Sequence, residues 1–167
     1  MKRIRVFIGS LFLLAGMQAI AQQHQKCTGP QLGTWKLESY TTEDIATGQK
    51  TTLLGPHPSG FLSYGSDCRM HAILVKDGRR PPATFVPTDA ERIELYSGFI
   101  AYAGTYRIEG DKVSHVVDAS WNQSWTGTTQ VRRFKIDGNR LYITTPPTKN
   151  ALTGKDSSSV LVWTRVE

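Results

Sequence analysis

Strand-like stretches recur about every ten residues from Gly33 to Arg165, and the connections between them are alternately very short and long. Alternation of apolar and polar side chains predicts strands at 33–42, 60–64, 69–76, 104–108, 112–119, 128–136, 140–145 and 159–165. Gly65-Ser66-Asp67 joins the second to the third, Glu109-Gly110-Asp111 the fourth to the fifth, and Asp137-Gly138 the sixth to the seventh. All three are hairpin-turn sequences. The other connections are long, and one of them carries a predicted helix. Thr88 caps that helix, Glu91 supplies the capping-box carboxylate three residues on, and Ile93, Tyr96 and Ile100 share a face. In an up-and-down meander alternate turns lie at the same end, so one end is tight and the other collects every long loop. The expected fold is all-β: an eight-stranded up-and-down antiparallel barrel, helix between the third and fourth strands, closed below and open above. Eight strands leave room for side chains or for one small ligand.

The first residues belong to a different kind of segment. Lys2, Arg3 and Arg5 precede the apolar run from Val6 to Met17, and Ala19-Ile20-Ala21 places small residues where a signal peptidase reads them. We expect a signal peptide at 1–21, an extension at 22–32 and the barrel domain at 33–167. The apolar run is shorter than the roughly 20 residues of a membrane span. Met17 stands where a lipoprotein would carry its cysteine, so the mature chain has no integral membrane segment and is secreted or periplasmic. Cleavage removes three basic residues and no acidic one, leaving 17 basic against 14 acidic and a net charge of +3 in place of +6. No basic block is left to bind nucleic acid.

The strand positions carry a family resemblance. Gly33-Thr34-Trp35 looks like the Gly-x-Trp signature of lipocalins, and Arg165 is placed to lay its guanidinium over that tryptophan. Four further segments resemble the bacterial and fungal lipocalin-like domain family: 55–60 with Leu62 and Tyr64, 101–106, 110–115 and 127–132. Cys68 departs from the family pattern where glycine is usual, and Gln123 where proline is common. The resemblance implies a barrel with a ligand-sized interior and does not name a reaction.

Cys27 and Cys68 are the only cysteines. Cys27 just precedes the first strand and Cys68 just follows the first tight turn, so both lie at the closed end. Export makes a disulfide between them the expectation. Strand parity places His115 on one face with Val113, Val117 and Ala119, and Arg132 with Gln130, Phe134 and Ile136. Counting outward from the turns pairs Ile108 with Val113 and Tyr106 with His115. The same counting sets His115 opposite Arg132, Arg132 opposite Ile143, and Phe134 opposite Leu141. Tyr106, His115 and Arg132 are then expected as one polar row inside an otherwise apolar cavity. With Tyr64 and Gln130 on the walls and Trp121 and Trp125 at the mouth, these are the candidate ligand contacts. His115 is the candidate general base.

No nucleophile elbow, zinc-protease motif, phosphate loop or dinucleotide fingerprint occurs. No cofactor and no metal site is expected. His24 becomes the third residue after cleavage, a spacing that can wrap Cu(II), but a lone histidine is weak evidence for a metal. Asn122-Gln123-Ser124 is a glycosylation sequon, of consequence only in a eukaryotic source. The leading expectation is a barrel that binds a small hydrophobic or amphipathic ligand, largely apolar with a polar or anionic end. An isomerase, cyclase or hydrolase using the same cavity is the alternative, and a ligand-free envelope or interaction protein the second. Oligomeric state is left open.

Overall fold

The computed structural model describes residues 26–166. The expected signal peptide, its cleavage point and His24 lie outside the described residues. Nine strands form one antiparallel sheet: β1 (Gly33–Asp44), β2 (Lys50–Thr51), β3 (Ser59–Tyr64), β4 (Arg69–Val75), β5 (Phe99–Glu109), β6 (Lys112–Ser120), β7 (Thr129–Asp137), β8 (Arg140–Lys149) and β9 (Asp156–Arg165). Each pairs with its neighbour, and β9 pairs back onto β1. Eight strands therefore close into an up-and-down barrel, with two-residue β2 as a fringe on the end of β1. The helix α1 (Asp89–Ser97) lies between β4 and β5, capped by Thr88 and Glu91 as the sequence indicates.

At the closed end Trp35 is fully buried and donates its indole N–H to the Gln31 carbonyl at 2.8 Å. The Arg165 guanidinium lies 4.0 Å from the centre of its ring and donates to the Leu32 carbonyl at 2.7 Å. Cys27 and Cys68 are disulfide-bonded at the same end, with their Cα atoms 5.1 Å apart. Above this floor, Leu37, Leu62, Leu141, Ile143 and Trp163 fill the barrel. Leu54, from the connection between β1 and β3, is also fully buried and joins the core.

Several expectations are corrected. Ile100 is not on the helix: Gly98 caps α1, and the chain enters β5 at Phe99. Ile93 and Tyr96 are 68% and 52% exposed, so the helix face read as apolar is not a core face. The long connection expected at 146–158 is strand over most of its length. Pro146 and Pro147 sit where the β8–β9 register shifts, between Thr145 and Thr148. The ladder is interrupted there, so the missing N–H groups cost no pairing.

The register of β7 differs from expectation by two residues on both sides. His115 lies opposite Gln130, and Val113 opposite Arg132. Phe134 lies opposite Ile143, and Ile136 opposite Leu141. One cause is the turn after β7. Its two loop residues are Gly138 and Asn139, with Asp137 paired to Arg140 and Gly138 at φ +58°. Only the first loop residue has positive φ, which is the glycine-first two-residue loop and not the Asp-Gly loop with glycine second. The other cause is a bulge in β6, where Ala103 pairs with Ala119 but Gly104 with Val117, leaving Asp118 extra. Beyond the bulge Ala119 is exposed, not inward as parity alone requires. Both slips are even, so His115 and Arg132 keep their inward facing.

Candidate functional site

β5 and β6 bring Tyr106 and His115 side by side as expected. The partners of His115 are different ones, however. The Tyr64 hydroxyl lies 2.7 Å from Nε2 and the Tyr102 hydroxyl 3.0 Å from Nδ1, so both ring nitrogens are engaged. Tyr106 instead donates its hydroxyl to the Gly65 carbonyl at 3.0 Å, tying β5 to the closed-end turn. Its ring still packs 4.7 Å from that of Tyr64. Tyr106, His115 and Arg132 thus share the interior without forming one row.

Burial is the main reason that His115 resists protonation, holding it well below the usual histidine range, and the Arg132 cation adds to it. Burial likewise pushes Tyr64 well above the usual tyrosine value and raises Tyr102, with Arg132 opposing in both. The three groups are therefore neutral at ordinary pH.

Arg132 reaches up from β7. Its guanidinium carbon stands 5.7 Å from the Tyr102 ring centre and 5.9 Å from that of Trp125. The residue is only 8% exposed, and its buried Nη1 has no hydrogen-bond partner among the described residues. A buried cation nitrogen left unmatched is costly.

Arg132 also lines a cavity of about 340 Å³ between the mouth ends of β5, β7, β8, β9 and β1. Its volume falls at the small end of the roughly 300–1,000 Å³ range of small-molecule pockets. Tyr40, Tyr102 and Trp125 supply aromatic walls, with Ile100, Leu152 and Leu161 beside them. Gln130, Thr145, Asn150, Ser157 and Ser159 supply polar groups toward the opening, so the interior is not otherwise apolar as the sequence suggests. Among the described residues no Asp or Glu lines it; the second lining cation, Lys149, is exposed and faces Asp156 at 3.3 Å.

Trp125 lines the cavity, whereas Trp121 stands behind it. Their rings meet edge to face at 5.0 Å, and Trp121 in turn packs 6.2 Å from Tyr96 of α1. Gln130 is half-buried and donates to the Thr128 hydroxyl at 2.9 Å. Tyr64 and His115 lie beneath the cavity, not on its wall, and reach it through Tyr102. Tyr40 and Tyr102 are the aromatic cavity residues missing from the sequence-based set. Tyr102 shares strand parity with Tyr106, a signal that extending β5 toward Phe99 exposes.

An up-and-down barrel of eight strands with a cavity open at one end is the architecture of small-ligand barrels. The chain belongs to the lipocalin-like domain family, whose model matches residues 32–166. That fold speaks for ligand binding in general. The chain is also similar to the crystal structure of an uncharacterized protein from Bacteroides eggerthii, with a TM-score of 0.40 and 12% identity over 81% of this chain and 98% of that one. A search of curated proteins gives no match.

Proposed function

We propose that this protein is an exported barrel, cleaved after Ala21, that holds one small amphipathic molecule with its anionic or carbonyl end on Arg132. The observation that carries this is buried Arg132, which lines a cavity without a carboxylate among the described residues and whose Nη1 has no hydrogen-bond partner among them. The aromatic walls suit the apolar body of such a molecule, and the hydroxyl groups nearer the opening suit polar substituents. The disulfide fits an oxidising compartment, and among the described residues no helix is long and apolar enough to cross a membrane. A void of this size argues against a fully packed, ligand-free barrel.

Native mass spectrometry of protein isolated from its own host tests the proposal, the expected result being a bound small molecule. Arg132→Ala is then expected to weaken that complex by about 1.5–3 kcal/mol, the range for a charge-assisted hydrogen bond. Unchanged affinity in a folded variant places the site elsewhere on the barrel. The enzymatic reading is favoured by one feature, the Tyr102–His115 hydrogen bond at the cavity wall. Any proton that His115 exchanges with a ligand passes through the Tyr102 hydroxyl, so turnover in that reading requires Tyr102.

A further inference from the structure

We propose that His115 acts as a positioning residue that turns the Tyr102 hydroxyl hydrogen into the cavity, so that Tyr102 and Arg132 form a donor-only anchor selecting an anionic oxygen group over its neutral counterpart. The inference deepens the binding proposal above and rests on it.

Hydrogen counting leads there. A neutral imidazole has one N–H and one bare nitrogen. With the Tyr64 and Tyr102 hydroxyls it makes a group of three hydrogens joined by two hydrogen bonds, so one hydrogen is left over. If Nε2 carried the ring hydrogen, Tyr64 would accept and its own O–H would need another acceptor. Tyr64 is 3% exposed and, among the described residues, its hydroxyl bonds to His115 alone. That arrangement orphans a donor in the core, which is the costly outcome. If Nδ1 carries the hydrogen, Tyr64 donates to Nε2, Nδ1–H donates to Tyr102, and the surplus hydrogen sits on Tyr102. Of the three groups only Tyr102 lines the cavity. The burial that keeps His115 neutral keeps this order fixed.

Tyr102 and Arg132 both line the cavity, the guanidinium carbon standing 5.7 Å from the Tyr102 ring centre, so in this proposal the phenolic O–H and a guanidinium N–H serve one bound group. No lining carboxylate competes for either. Carboxylate, sulfonate and phosphate oxygens accept from both donors, whereas a neutral group without such oxygens leaves both unmet.

Two measurements test this. Ring ¹⁵N NMR of His115 in the ligand-free wild-type protein is expected to show a protonated Nδ1 and a bare Nε2. Fluorescence titration then compares 8-anilinonaphthalene-1-sulfonate with N-phenyl-1-naphthylamine, which has the same skeleton without the sulfonate. The wild type is expected to prefer the sulfonate, and Tyr102→Phe to weaken the sulfonate about tenfold while leaving the neutral dye unchanged. An Nε2-protonated ring, or equal losses for both dyes, overturns the anchor and leaves the binding proposal standing. Failure of both dyes to enter the wild-type barrel overturns the anchor together with the binding proposal.

Discussion

His115 has no exposed edge, and its neutrality has a thermodynamic signature. Its ionisation is suppressed in the folded protein relative to the ordinary value of 6.5, mainly by burial and then by Arg132. Below that value the unfolded chain takes up a proton that the native ring refuses. The unfolded state is therefore favoured as pH falls, by about 1.4 kcal/mol per pH unit from this one group until the native ring also protonates. Above it both states are neutral and the contribution vanishes. Urea denaturation between about pH 7 and pH 5 is expected to show a steeper loss of stability for the wild type than for His115→Gln. Parallel slopes in the two proteins contradict a neutral buried ring. The pairing of His115 with Tyr106 is legible in the sequence because Gly110-Asp111 sets the β5–β6 register. The hydrogen bonds of His115 are not legible, because Tyr64 is three strands away in the sheet and Tyr102 sits on a part of β5 disguised as the end of the helix segment.

Among the elements, β1, β6 and β8 each contain a bulge, and the bulges decide what the cavity contains. On β1 the register shifts between Leu37 and Ser39, so the inward positions change from Trp35 and Leu37 to Tyr40 and Thr42. Period-two counting along the sequence cannot cross such a shift, which is why Tyr40 is hidden from it. Asp118, the extra residue of β6, turns outward and meets Arg69 at 2.8 Å. Gly104 makes that bulge possible, since a Cβ there would stand 1.9 Å from the Val116 carbonyl oxygen. Gly104→Ala is expected to destabilise the protein by about 1–3 kcal/mol, as overpacking does, because backbone and not a flexible side chain has to yield. Chemical denaturation measures it, and a neutral effect contradicts the close approach of β5 and β6.

At the scale of the molecule, the alternation of short and long connections implies a barrel and its closed end, and with export the Cys27–Cys68 bridge there. Those features follow from chain order, which survives small errors in register. The lining of the cavity does not follow, because it depends on how the long connections fold back: Trp125 and the β8–β9 connection at Asn150–Leu152 supply part of its wall. The disulfide spans 41 residues. In the chain-entropy model a loop of that length stabilises the fold by about 4 kcal/mol. The double variant Cys27→Ser, Cys68→Ser is expected to lose roughly that much in urea denaturation at neutral pH. A loss near zero indicates that the remaining contacts of the N-terminal segment already restrain it.

The pairing of β9 with β1 also orders events in time. It joins residues 156–165 to residues 33–44, so the ladder that shuts the barrel links the last strand to the first. The disulfide, by contrast, needs only the chain as far as Cys68. A chain emerging from its N-terminus can fasten β1 to the β3–β4 hairpin early, yet it stays an open sheet with two bare edges until β9 arrives. The interval before closure is when these edges are exposed to other chains, and it lasts as long as the final strand is missing.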